Sequence, residues 1–426
     1  MPPIKHAVLG ASSSHRWLAC PPSARLGERL NARFGARSSP DADLGTKAHA
    51  LGEIKVRYAL WKADRMTAAR HGEMTPAQRE AYPGINVNRY KALRKDLGDI
   101  PEDLEKISDT YADVIMERLL RARESDPSAQ LFLEQRLDYS RWVPSGFGTG
   151  DAIIVSDTLL DIQDLKAGST DGMGHAGKPV PAHDNPQMKL YALGSIARFS
   201  SLYDFRSVRM TIIQPRLNSL DEDYSSVDEL LRWAEEVVTP AAKLAWAGEG
   251  EFNPGDHCYY CPAKAVCAAR AAQSLKVFDY GLAGSGELST EQISSILPML
   301  DEAEAWIKDL RTYAETCALQ GERFTGYKLV RGRRPNKAWT DEDGVRASLL
   351  RAGYGPENYE KTVLRSPSEV QKMLGAKAYR SLIEEAGLVR QGEGRPTLVP
   401  ESDSRPEYNS AEAAFEDMAD PASTDK

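Results

Sequence analysis

Cysteine is scarce in this chain: five in 426 residues, too few and too unevenly spread for a disulfide-built scaffold. No run of about 18 apolar residues occurs, so no membrane-spanning helix is expected. The opening MPPIKHAVLG has no apolar signal-peptide core, and a cytoplasmic location with no membrane partner is expected. There is also no excess of positive charge. The net charge is -8, which on its own does not suggest a nucleic-acid binder. Distribution matters more than the sum. From Glu401 to Lys426 there are eight acids against two bases, so most of the net negative charge sits in one tail and the body is near neutral. The remaining composition, 41% hydrophobic and 27% charged, is that of a globular protein large enough for two or three domains.

The few cysteines are placed informatively. Cys258, Cys261 and Cys267 form a C-x2-C-x5-C group in HCYYCPAKAVCAAR, and Cys20 stands alone in SSSHRWLACPPSARL. Three clustered thiols are one ligand short of a tetrahedral four-thiolate site, and Cys20 is available to complete it. Closing such a site would tie the N-terminus to residue 260 or so and make everything between one domain. By spacing alone, four thiolates fit zinc or an iron–sulfur cluster, and C-x2-C is the more familiar zinc pattern. Cys317, in a later helix, reads as an ordinary thiol, and His257 as a neighbour of the cysteine group rather than a ligand.

Between the cysteines, periodicity predicts helices around His15–Leu30, over GTKAHALGEIKVRYALWKA and over residues 85–125. Strands are expected at LFLEQRLDYS, GFGTGDAIIVSD and TLLDIQDLKAG, then a helix at NPQMKLYALGSIARFSSLY and a strand at SVRMTIIQPR. This order, α–βββ–α–β, predicts a mixed α/β core. In TLLDIQDLKAG, strand alternation puts Ile162, Asp164 and Lys166 on one face and Asp161, Gln163 and Leu165 on the other. Asp151 opens the preceding strand and is expected nearby. Two carboxylates on adjacent strands can share Mg2+ or Mn2+, hard ions that prefer oxygen. Such an ion would acidify a water, which Lys166 could orient. By itself Asp-x-Lys is common, and the plain alternative is a charged surface hairpin. The context adds His49 and Glu53, i and i+4 on one helix face, and Gln187 and Tyr191, spaced the same way on another.

Taken together, SSSHRWLACPPSARL, GTKAHALGE, FGTGDAIIV, DIQDLKAG and NPQMKLYALG, with the cysteine group, resemble RecB-type nucleases of the PD-(D/E)XK superfamily that carry a four-cysteine iron–sulfur cluster. With GYKLVRGRR added, they resemble a phage and prophage family of unassigned function over nearly the whole chain. The resemblance implies a restriction-endonuclease-like core, a mixed central sheet flanked by helices, stapled by a [4Fe–4S] cluster on Cys20, Cys258, Cys261 and Cys267. It implies that His49, Asp151 and Asp164 are metal ligands, that Asp151, Asp164 and Lys166 are catalytic, and that Glu53 supports His49. It makes Gln187 and Tyr191 the helix beside the site that contacts DNA. The expected domains are a nuclease unit over 1–274, a linker over 275–288, a helical and basic accessory region over 289–400, and a disordered acidic tail over 401–426.

Two further motifs carry less. Gly172 to Lys178 fits G-x4-G-K, but Pro179 stands where a nucleotide-binding loop needs Ser or Thr, so ATP binding is not expected. The run Lys328, Arg331, Arg333, Arg334 and Lys337 contains no acid. Ending near Trp339, it could bind DNA phosphates or be a solvated charged strand. The expected function is a Mg2+- or Mn2+-dependent DNA nuclease, an exonuclease acting on ends or single strands in phage recombination, repair or replication. Its expected partners are DNA and a phage single-strand-binding or recombination protein. The rival reading is a non-catalytic DNA-binding or recombination accessory protein that keeps the nuclease fold.

Overall fold

A computed structural model describes residues 7–35, 40–65, 82–168, 179–277 and 287–327, with a few isolated positions between 371 and 380. Residues 1–330 form one compact unit and residues 331–426 a second. The first holds the sheet and the helices packed on it. No helix among the described residues is long and apolar enough to cross a membrane.

The described residues open on a 3-10 turn over Ala11–Ser13 and two short helices, α1 (Ser14–Ala19) and α2 (Ser23–Phe34). Sequence periodicity predicts a single helix here. Cys20-Pro21-Pro22 interrupts it, because proline donates no backbone hydrogen bond and restricts the residue before it. A long helix α3 (Pro40–Arg65) comes next, then α4 (Val87–Asp96) and α5 (Glu102–Ser125). The predicted helical stretch over 85–125 is broken in two at Gly98, whose φ is +71°, and at Pro101, which lies just before α5. In α5, Leu104, Ile107, Ser108, Tyr111, Ala112, Ile115 and Leu119 are buried, the i, i+3, i+4 stripe of an amphipathic helix. Glu102, Asp103 and Glu105 occupy its first turn, where the helix dipole favours negative charge.

A five-stranded sheet succeeds the helices, in the order β1 (Gln130–Asp138), β2 (Phe147–Val155), β3 (Leu159–Leu165), β4 (Ser207–Gln214) and β5 (Ser219–Ser226). All neighbours pair antiparallel except β3 with β4. That parallel pair is joined through helix α6 (Pro186–Phe199), as parallel strands require a crossover. The polar strand β5, SLDEDYSS, is not visible in the sequence pattern; it forms at the sheet edge and none of its residues is buried, so no apolar alternation marks it. Beyond it run α7 (Val227–Trp233), a π turn over Ala234–Val238, and α8 (Thr239–Ala247). Then come the cysteine loop, α9 (Ala268–Leu275) and α10 (Thr290–Leu319). The Ser289/Gln292 capping box expected from the sequence caps α10.

Two cores sandwich the sheet. Ile153, Val155, Leu160, Ile162, Val208, Met210 and Ile212 pack against α6. Ala152, Ile154, Leu165 and Ile213 pack against α3 and α5. Each fully buried Leu- or Ile-sized side chain contributes about 1.5–3 kcal/mol relative to exposure. The close approach of α3 to α5 requires Gly52, since a Cβ there would sit 2.8 Å from Cδ1 of the buried Tyr111 ring.

Helix α10 belongs to this body. Arg270, buried on α9, donates to Glu302 and Asp309 at 2.7 Å each, and Phe34 meets Tyr313 edge to face. The compact unit therefore extends to Val330, past the 275–288 segment expected as a linker, part of which (278–286) lies outside the described residues.

Candidate functional site

Asp164 lies on β3 on the same side as Ile162, facing α6. It is 2% exposed. One residue beyond the strand end, the half-buried Lys166 brings its Nζ to 2.8 Å from Asp164 Oδ2. Across the ladder on β2, Asp151 is also buried. Its Oδ2 accepts a hydrogen bond from the backbone N–H of Leu165 at 2.8 Å and lies 3.2 Å from His49 Nδ1. Helix α3 thus delivers His49 to the end of the β2–β3 hairpin.

A fourth side chain arrives from β1. Glu134, His49 and Asp151 each offer a ligand atom, and these atoms lie within 4.8 Å of one another. Glu134 has a φ of +49°, a left-handed conformation that for a non-glycine residue stores on the order of 1–3 kcal/mol. The β1–β2 ladder registers Leu133 with Ala152 and Gln135 with Gly150, with Glu134 between them. Leu131 and Leu133 join the core under α3 and α5, whereas Leu137 joins the core under α6. Strict alternation would put all three on one face; β1 changes face at Glu134, which turns that carboxylate into the site. Sequence reasoning missed Glu134. The available signal was an acid inside the apolar alternation of LFLEQRLD.

Helix α6 supplies the remaining contacts. Asn185 caps it, accepting from the N–H groups of Gln187 and Met188. Gln187 Nε2 donates to Asp164 Oδ1 at 3.0 Å and to the Tyr191 hydroxyl at 3.1 Å, and Gln187 Oε1 accepts from Lys166 Nζ at 3.0 Å. Gln187 and Tyr191 are therefore brought to the acids. Glu53 instead accepts from Arg57 at 2.8 Å.

The electrostatics reflect crowded negative charge. Burial alone would lower the pKa of His49, but the Asp151 carboxylate raises it to about 9. Burial, and then the charge of Asp151, push Glu134 up to about 8. Asp164 is raised by burial, against the pull of Lys166. For Lys166, burial acts downward and is outweighed by Asp164, which keeps the ammonium charged. A divalent cation would relieve this repulsion, and one imidazole with two or three carboxylates is a donor set that divalent cations accept.

A cleft of about 550 Å3 runs from Glu134 past Tyr191 and Phe147–Thr149 to Arg16, Gly27 and Pro262. Pro262 comes directly after Cys261 in the second constellation. Cys20, Cys258 and Cys261 are buried, Cys267 is half-buried, and none is in a disulfide. All four line one small cavity together with His257. Burial raises the Cys261 thiol, and the charges of Cys258 and Cys20 add to the rise. At Cys20, burial is outweighed by a hydrogen bond with His257 and by the backbone N–H groups of Asn253 and Ser23, so its thiol is lowered. His257 Nε2 bonds the Asn253 carbonyl at 2.8 Å, which leaves its other nitrogen for the cysteine side. Cys317 is a buried thiol on α10. Arg331, Arg333, Arg334, the rest of the basic run and residues 169–178 lie outside the described residues.

The described residues thus define a mixed α/β protein whose sheet end carries a His–Glu–Asp cluster that could hold a metal ion. The chain belongs to the family described as "Protein of unknown function (DUF2800)", whose model matches residues 6–406. Among solved structures, one described as "Crystal structure of SSO0001" is similar at 15% identity, over 43% of this chain and 79% of that one, with a TM-score of 0.21.

Proposed function

We propose that this protein is a metal-dependent DNA nuclease with a PD-(D/E)XK-type core. The observation that carries the reading is the convergence of His49, Glu134 and Asp151 beside an Asp164–Lys166 pair separated by 2.8 Å. His49, Glu134 and Asp151, with Asp164 alongside, would hold Mg2+ or Mn2+. A divalent cation there supplies Lewis acidity toward a phosphoryl oxygen and lowers the pKa of a water. Asp164 and Gln187 hold the Lys166 ammonium in place, so it can hydrogen-bond the attacking water or stabilise charge developing on the phosphate. The hydrogen bond from Leu165 N–H fixes one oxygen of Asp151.

The four cysteines fit a thiolate-bound centre, because four free, mostly buried thiols face one cavity. We assign them a [4Fe–4S] cluster that staples α1 to the loop before α9, with zinc as the alternative outcome of metal analysis. The cluster is structural in this reading and takes no part in hydrolysis.

The test is digestion of labelled single- and double-stranded DNA by anaerobically purified protein with Mg2+ or Mn2+. Cleavage is expected, and Asp164→Ala is expected to abolish it while leaving the melting temperature and bound iron unchanged. Full activity in that variant, or no cleavage of any substrate by the parent, would sink the proposal.

A further inference from the structure

Resting on the nuclease reading, we propose that Arg136, stacked on Phe147, is a phosphate-binding subsite for the polynucleotide backbone beside the metal-ligand cluster. The cleft of about 550 Å3 is of the size of pockets that take small-molecule guests, roughly 300–1,000 Å3. Its inner end is acidic, so a polyanion entering it needs cationic support outside the cluster itself.

Arg16, which lines the cleft, and two cations beside the cluster, Lys166 and Arg57, are already engaged. Lys166 is held by Asp164 and Gln187. Arg16 donates to the carbonyl and hydroxyl of Ser23 at 2.8 and 3.2 Å. Arg57 is bound to Glu53 and to the Pro83 carbonyl. Arg136 differs from these. It is exposed, its guanidinium carbon sits 3.6 Å from the centre of the Phe147 ring, and among the described residues it makes no ion pair or side-chain hydrogen bond. The carboxylate that feels its charge, Asp138, is itself bonded to the Ser140 N–H at 2.8 Å.

Stacking holds the guanidinium plane without using its in-plane donors, so the fork that binds phosphate bidentately stays open. The position also suits a neighbouring phosphate. Arg136 pairs with Thr149 in the β1–β2 register, and both lie two residues beyond the cluster members Glu134 and Asp151 on their strands. On β2 the two-residue offset from Asp151 to Thr149 is about 7 Å, close to the separation of successive phosphates along one nucleic-acid strand.

The test is equilibrium binding of a labelled oligodeoxythymidylate across a salt series. The full chain carries Asp164→Ala, which prevents cleavage. Adding Arg136→Ala should weaken binding several-fold and reduce the slope of log K against log salt by about 0.7, the value for one lost contact to a single strand. Arg136→Lys should retain the slope, since the charge count is unchanged. Because Arg136 is exposed, these variants are expected to fold, which a thermal melt checks. An unchanged slope and affinity in Arg136→Ala overturns the subsite, as does a parent protein that does not bind the oligonucleotide. Wild-type cleavage is assayed separately: binding with the expected slope change but no cleavage with Mg2+ or Mn2+ defeats the nuclease reading alone.

Discussion

The amide of Gln187 can be oriented in only one way. A lysine ammonium only donates and a carboxylate only accepts, so Oε1 must face Lys166 and Nε2 must face Asp164 and Tyr191. With its polar atoms so engaged, Gln187 is better suited to positioning Lys166 than to gripping DNA. Gln187→Ala is therefore expected to lower kcat by about 10–100-fold, a range typical of losing orientation at a catalytic group, with little change in KM for DNA; a KM effect alone would favour a DNA-contact role. A second prediction concerns His49. Its pKa is raised from an ordinary 6.5 to about 9, so at neutral pH and without a cation it is an imidazolium paired with Asp151. The stability that pair contributes is complete below 6.5 and is lost as pH rises through about 9. A cation needs the neutral imidazole and an ionised Glu134, whose pKa is pushed up to about 8. Binding of Mn2+ near neutral pH should therefore release protons and tighten as pH rises toward 9. Calorimetry in buffers of different ionisation enthalpy measures this directly, and a pH-independent affinity would count against His49 as a ligand.

At the scale of elements, the site depends on how closely helices approach the sheet. His49 reaches Asp151 because α3 lies tight against α5 at Gly52, where an added methyl would meet Tyr111 at 2.8 Å. Gly52→Ala is expected to destabilise the protein by about 1–3 kcal/mol through overpacking and to weaken Mn2+ binding as α3 shifts. Denaturant melts and a metal titration of the same variant would show both effects. Much at this scale was legible in the sequence: the facing of Asp164 with Ile162, the α–βββ–α–β order, and the capping box of α10 arise from local periodicity and short-range chemistry. Two features were not. The edge strand β5 has no apolar alternation because only its pairing with β4 makes it a strand. The reversal of face at Glu134 comes from a backbone conformation that no residue type at that position announces.

For the whole molecule, the decisive link is between residues far apart in the chain. Cys20 and Cys258–Cys267 line one cavity, and Arg25, just beyond Cys20, bonds the Trp246 carbonyl at 2.6 Å. A centre on the four thiolates would close a loop of more than two hundred residues, a restriction that chain entropy alone puts at about 5 kcal/mol. Cys20→Ser is expected to lose bound iron and visible absorption and to lower the melting temperature by several degrees, with far-UV dichroism retained. If the variant keeps its metal and its stability, Cys20 is not part of the centre. A colourless preparation with stoichiometric zinc would replace the cluster with a zinc staple. The same region anchors α10, because the buried Arg270 on α9 has its charge balanced by Glu302 and Asp309.

The amino-acid sequence by itself determined where most helical and strand segments lie, the pairing of Asp164 with Lys166, and the spacing of three cysteines, because each depends on residues a few positions apart. Tertiary structure alone decided that His49 meets Asp151, that Glu134 joins them, that Gln187 bridges acid to lysine, and that Cys20 reaches the other thiols. Those contacts span from about twenty residues to more than two hundred. Their geometry is set by how two cores press helices onto opposite faces of one twisted sheet, a property of the assembled packing that no local stretch of chain encodes.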